Sequence, residues 1–284
     1  MPSDRIVALG VVATLVVFGA AVATLDVRAD PAPQARPGSV APATTASRPA
    51  RQVLLSAAQH LDDAGSARLH ADREGPAGRG GADGTVSWGA ADTADLRLTD
   101  PRGAGRLLMV DSVCYLSRDP AADPAAGGAW ARADRAEVES LEPGGAGAGG
   151  YAGGWLTALV SNPGGRLRLV ALAGRVTEDG PVTEGAAVAT HYRGSAPVEA
   201  LFGADQNLDP ERLAVVLAHY RAQGVEALDY DVWIGEGDRL LRLRESASGR
   251  AGTETTTVEV SDPGVAFEVR APGPAGAPGG VRAG

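Results

Sequence analysis

The sequence contains no lysine: within its 284 residues every one of the 26 Lys-plus-Arg positions is arginine, a bias that reads first as GC-rich coding. Nor is there an excess of positive charge. The net charge of -9 removes the basic footprint that a nucleic-acid partner requires. A single cysteine, Cys114, excludes an internal disulfide and any multi-cysteine zinc site. Set within an apolar run, it reads as a buried, inert thiol. The four histidines, His60, His70, His191 and His219, do not fall at metal-ligand spacing, and HExxH is missing, so they read as ordinary surface or edge residues. GxSxG is also missing, which leaves a hydrolase elbow without support. Gly145 to Gly150 matches GxGxxG by letter, but it lies in a glycine-rich loop and not between a strand and a helix. Asp229 and Asp231 share a strand face at a spacing of about 7 Å, as acid–base carboxylates can. Alternating charge on a solvated face is the commoner cause of that pattern. No catalytic residue, metal ligand or cofactor is expected, and the chain does not read as an enzyme.

What the sequence does hold begins with Ile6 to Leu25, twenty residues without a charge. A bilayer-spanning helix needs about 20. Residues 1–29 therefore read either as an uncleaved membrane anchor or as a signal peptide cut after Ala23 or Ala29. Either way the remainder is exported. Residues 30–50 form a Pro, Ala and Thr-rich linker, and 271–284 an equally unstructured tail. One domain remains, residues 51–270, large enough for a substantial core.

That domain opens with a helix whose stripe is Val53, Leu54, Ala57, Ala58 and Leu61, stopped by Gly65. Strands are predicted over 67–74, 84–88, 94–99, 105–110 and 113–117. Asp111-Ser112 makes a tight hairpin between the last two. RLLMV and VCYL are apolar on both faces, the pattern of strands covered on both sides. Trp155, Leu156, Leu159 and Val160 suggest a short helix, and Leu167, Leu169, Val170 and Leu172 a second apolar piece.

The stretch from Gly185 to Arg244 organises the rest. A strand over 186–195 leads to a helix with Asp209 as cap, Pro210 at its first position, a stripe of Leu213, Val216, Leu217 and Tyr220, and Gly224 as stop. Leu228, Tyr230, Val232 and Ile234 then alternate with polar residues. After a turn at 235–238, Leu241 and Leu243 share a face. Strands over 253–260 and 265–270 close the domain. The fold class is α+β: one curved antiparallel sheet with helices on its concave side.

Several segments together resemble the LppX/LprG-like lipoproteins of the bacterial cell envelope, which share the LolA-like half-barrel. They are GTVSW at 84–88, RLLMVDSVCYL at 106–116, AWARAD at 129–134, VATHYRGS at 188–195, YDVWIGEGDRLLRLR at 230–244 and VEVSDPGVAFEVRAP at 258–272. The resemblance runs from about Val53 to Pro272 and implies an exported carrier or sensor with a cavity for lipid or lipid-linked ligands. Such relatives carry a lipobox cysteine. This chain has none near residues 20–30, so Ile6 to Leu25 is the remaining candidate for membrane attachment. The expected lining of a hydrophobic cavity is Trp155, Leu156, Leu159, Leu167 and Val170, facing Leu107, Met109 and Tyr115. The expected partners are a lipid or apolar small molecule and, through the N-terminal segment, the membrane. The alternative is an envelope interaction or sensor protein that engages another envelope protein and holds no ligand.

Overall fold

The computed structural model describes residues 48–88, 92–101, 103–126, 129–138, 155, 159, 163–184, 187–206 and 208–273. The N-terminal segment, the Gly145 to Gly150 run, Leu156 and Val160 lie outside them. Among the described residues no helix is long and apolar enough to cross a membrane.

Ser47–Gly284 forms one compact unit. Helix α1 (Ala50–Ala64) buries the five residues of the predicted stripe and ends on Gly65 at φ 67. Strands β1 (Ser66–Gly75), β2 (Gly78–Ser87), β3 (Thr93–Asp100), β4 (Gly103–Val110), β5 (Val113–Ser117) and β6 (Ala131–Asp134) follow as a meander. Asp111 and Ser112 both take positive φ, the conformation a two-residue hairpin requires, and they set Val110 opposite Val113. A one-turn helix α2 (Arg135–Val138) and helix α3 (Pro163–Ala173) lead to β7 (Arg175–Glu184) and β8 (Ala187–Pro197). Helices α4 (Val198–Gly203) and α5 (Pro210–Gln223) then precede β9 (Ala227–Gly235), β10 (Arg239–Gly249) and β11 (Gly252–Ser261). Asp209 caps α5 by accepting from the Arg212 amide at 2.8 Å, and Gly224 ends it at φ 74.

All eleven strands join one antiparallel sheet in the order β6-β5-β4-β3-β2-β1-β11-β10-β9-β8-β7. The sheet is open and curled into a half-barrel, with the helices on its concave side, as the sequence pattern implies. One core runs along the helix-covered face. Leu69 and Ala71 of β1, Leu107 and Met109 of β4, and Leu228, Tyr230, Val232 and Ile234 of β9 meet Leu54 of α1 and Leu167 and Val170 of α3 there.

Strand β4 is covered on both sides, as its sequence suggests. Leu107 and Met109 enter the core, while Leu108 is buried on the outer face. The loop after β5 is drawn over that outer face by Arg106, whose Nη1 donates to the Ala122 carbonyl at 2.6 Å while Nε and Nη2 hold Asp95 of β3.

Three departures have local causes. Residues 265–270 are not a strand, although Val265, Phe267 and Val269 alternate with exposed neighbours. Strand β11 already lies between β1 and β10, so the chain leaving it finds no free ladder beside it. It crosses the outer face instead, held by Ser66 Oγ donating to the Val265 carbonyl at 2.8 Å and by the Gly273 amide donating to Pro124 at 3.3 Å. Leu241 does not share a face with Leu243. A register shift between Leu240 and Arg242 turns Leu240 into the core with Leu243 and leaves Leu241 half-buried. Strands β6 and β7, the two edges, carry too little apolar alternation to stand out in the sequence.

Gly84 of β2 has the β3 backbone close against it. At φ 157, a Cβ there would lie 2.0 Å from the Asp95 carbonyl oxygen. Gly84→Ala is expected to cost about 2–3 kcal/mol, read as a fall in melting temperature.

Just before α1, Arg48 forms a two-pronged bond to Asp238 in the β9–β10 turn, with Nη1 to Oδ2 at 2.8 Å. This bond, with help from Ser56, holds the Asp238 carboxyl below its ordinary range. A depressed carboxyl stabilises the fold above its unfolded value of about 3.9 and loses that contribution as pH falls through the folded value. Asp238→Asn should therefore lower the melting temperature at pH 7, with the gap to wild type closing on acidification below about pH 4. A gap independent of pH would count against the pair.

Candidate functional site

The helix-covered face is apolar along most of its length. Of the residues expected to line a cavity, Leu107, Met109, Trp155, Leu159, Leu167 and Val170 all join this one core, each 2% exposed or less. Tyr115 lies elsewhere. The neighbours of Tyr115 on β5, Cys114 and Leu116, face the core, so its half-buried side chain points to the outer face, opposite Leu108.

Toward the open ends of β9 and β10 the same face turns polar. Tyr230 and Glu245 sit opposite each other in register, both on the concave side. Above them, Arg166 of α3 places its Nε 3.3 Å from Glu245 Oε2 and its guanidinium 5.2 Å from the ring of Phe202 on α4. Phe202 in turn packs against Tyr220 of α5, with centroids 5.3 Å apart. Arg73 of β1 lies 4.6 Å above the Trp155 ring, with its Nε 3.8 Å from Glu254.

The electrostatics of this cluster follow from burial. Desolvation drives the Tyr230 hydroxyl well above its ordinary value, and Glu245 adds to the effect. Tyr220 is pushed up to about 12, again by burial first and Glu245 second. For Arg166, burial acts most strongly and against the charge, but Glu245 together with Tyr230, Tyr220 and Asp205 outweighs it and holds the guanidinium above the usual arginine value. Both tyrosines therefore stay protonated donors, and Arg166 stays a cation.

Two of these donors have nothing to bond. Arg166 Nη1 and Tyr230 Oη are shut away from solvent without a hydrogen-bond partner in the structure. The Tyr230 hydroxyl lies beside Glu245 but out of ordinary hydrogen-bond geometry. An unpaired buried donor costs about 1–3 kcal/mol. Among the described residues Asp62 Oδ1 and Trp130 Nε1 are the other buried side-chain atoms without a partner, and only here do two donors lie close together.

Sequence reading put Tyr230 inward but missed this site. Arg166 precedes the apolar run of α3 as an unremarkable charge. The register of Glu245 depends on the bulge in β10, which has no signature in the letters.

A second cluster lies on the outer face. His191, read from sequence as a surface or edge histidine, is 6% exposed. Its Nδ1 is 3.1 Å from Asp179 and its Nε2 2.9 Å from Asp231, and its ring stacks on Trp233 at 4.7 Å. Asp179 is the extra residue of a bulge between Glu178 and Gly180, which brings its carboxylate to the histidine. Arg193 bridges both aspartates. Both ring nitrogens are engaged by carboxylates. Among the described residues no group of three or more His, Cys, Asp or Glu side chains, this one included, is arranged to hold a metal ion.

Glu245→Ala would leave the Arg166 charge without its partner and is expected to destabilise the fold, by less than the roughly 3 kcal/mol of a fully buried pair because both side chains are partly exposed, whereas replacing both partners together by methionine should cost less. Chemical denaturation of the two variants provides the comparison.

No family model matches the chain, and no curated protein sequence matches it. Among solved structures it is similar in fold to LprF from Mycobacterium bovis, with 14% identity and a TM-score of 0.46 over 80% of this chain and 97% of that one. It is similar also to the lipoprotein LppX of Mycobacterium tuberculosis, with 12% identity and a TM-score of 0.44 over 77% and 99%. A LolA superfamily protein from Nitrosomonas europaea shows 10% identity and a TM-score of 0.26 over 76% and 93%.

Proposed function

We propose that this protein is an exported binding protein for a lipid or other hydrophobic ligand, tethered to the membrane by its N-terminal segment and performing no chemistry. The observation that carries the reading is the pair of unpartnered buried donors, Arg166 Nη1 and Tyr230 Oη, at the end of an otherwise apolar concave face. A closed core has no use for such donors, whereas a binding face does.

The ligand's apolar part lies along Leu107, Met109, Trp155, Leu159, Leu167 and Val170. Each methylene removed from water there contributes about 0.8 kcal/mol. Entry is by way of the helical cover. Helix α5 fully buries no residue, and its stripe of Leu213, Val216, Leu217 and Tyr220 is only half-buried. An element with so little buried surface opens at low cost. The uncharged run at Ile6 to Leu25 supports the tether, and the Pro-rich linker supports a domain held off the membrane surface.

Full-length protein is expected to bind N-phenyl-1-naphthylamine saturably, with a rise in fluorescence, and its organic extract should contain a lipid by mass spectrometry. A blank in both measurements would defeat the reading and leave an envelope interaction protein with a packed core. An N-terminal mass of the membrane-extracted protein decides between anchor and cleaved signal.

A further inference from the structure

We infer that the polar end of the concave face binds an uncharged oxygen acceptor of the ligand, a carbonyl or ester group, through Arg166 Nη1 and Tyr230 Oη. This rests on the hydrophobic-ligand reading above and adds the chemistry of the ligand's polar part.

The first step concerns what the two groups lack. Both are donors, and both lie out of solvent without a partner. An arginine nitrogen cannot accept a hydrogen bond at all. The missing group is therefore an acceptor, and an aliphatic ligand alone leaves both donors unpaired. They occupy neighbouring positions around one residue, Glu245. Arg166 is ion-paired with it at 3.3 Å, and Tyr230 faces it across the β9–β10 ladder.

The second step concerns charge. A buried arginine often marks an anion site, but here its charge is already met. Glu245 neutralises Arg166, and Glu254 lies 3.8 Å from Arg73, the other arginine on this face. Asp205 adds a further negative field at Arg166. An incoming carboxylate or phosphate would give up its hydration to enter a site with no uncompensated cation, a transfer that low-dielectric surroundings penalise heavily. An uncharged carbonyl oxygen satisfies the donors without that cost.

The third step concerns shape. Phe202 closes one side of the Arg166 guanidinium at 5.2 Å, and Tyr220 backs Phe202. The guanidinium plane is thus held in place by Phe202 on one side and Glu245 on another, which keeps Nη1 pointing at a defined position and not sweeping through solvent.

The test compares three competitors of matched length for displacement of N-phenyl-1-naphthylamine from the full-length protein: methyl laurate, 1-tridecene, and laurate at pH 9. Methyl laurate should compete at least about fivefold more strongly than 1-tridecene, the ratio that one net hydrogen bond supplies. Laurate should gain no such advantage. Tyr230→Phe keeps the ring and removes only the hydroxyl. Because that hydroxyl has no partner in the unliganded protein, the variant should fold at least as stably as wild type. It should lose most of the ester's advantage over 1-tridecene measured on the same variant. Equal competition by ester and alkene, stronger competition by laurate, or an ester advantage undiminished in Tyr230→Phe would each overturn the inference while leaving the hydrophobic-ligand reading intact. Failure of the naphthylamine probe to bind at all would remove both.

Discussion

The ladder between β1 and β11 holds this fold together. The first strand of the sheet pairs with the last, Leu69 opposite Val260 and Ala71 opposite Val258. On one side lies the β1–β6 meander, on the other β11 back to β7. Within each half the strands are joined largely by local turns, so each can assemble from nearby contacts. The halves become one sheet only when residues nearly two hundred apart in sequence meet, and closing so long a loop carries an entropic cost that local hairpins avoid. The concave core, drawn from both halves and from α1 and α3, exists only after that ladder forms. Any cavity-forming surface is a product of this one pairing.

Against that frame the polar cluster occupies an unusual place. Glu245 and Tyr230 belong to the C-terminal half of the sheet, Arg166 to the helix that links the halves, and Arg73 to β1. The cluster is therefore assembled across the closing ladder and cannot pre-exist in either half. Placing charge there is costly, and the structure meets the cost incompletely: Arg166 and Glu245 offset each other, but two donors remain unmatched. Elsewhere some clusters are closely satisfied, although Asp62 Oδ1 and Trp130 Nε1 are also buried without a partner. His191 on the outer face has both nitrogens engaged, and Arg106 uses all three of its donor nitrogens on Asp95 and Ala122. What distinguishes the concave end is that two unpartnered donors, Arg166 Nη1 and Tyr230 Oη, lie together there.

Much of the architecture was legible in the letters. The α1 stripe, the Asp209 cap, the Asp111-Ser112 hairpin and the β9 alternation each rest on a local rule, and each holds. Elements whose form depends on distant neighbours were not legible. Residues 265–270 alternate like a strand, yet have no ladder to join. Leu241 and Leu243 are separated by a bulge that only the partner strand reveals. Strand β7 holds its place as an edge by pairing with β8 alone, and its own residues say little. The site was hidden for the same reason. Of the expected lining, Tyr115 falls on the outer face because its side is set by strand parity, and Arg166, Glu245 and Tyr230 converge only in three dimensions.

The segment that failed to become a strand has a mechanical role. From Ser66 to Pro124 it runs over the convex side of β1 to β5, bonded at both ends. Rolling a sheet more tightly lengthens any path over its outside, and a chain of fixed reach resists stretching. The segment thus works as a girdle that opposes tighter curling of the N-terminal half of the sheet.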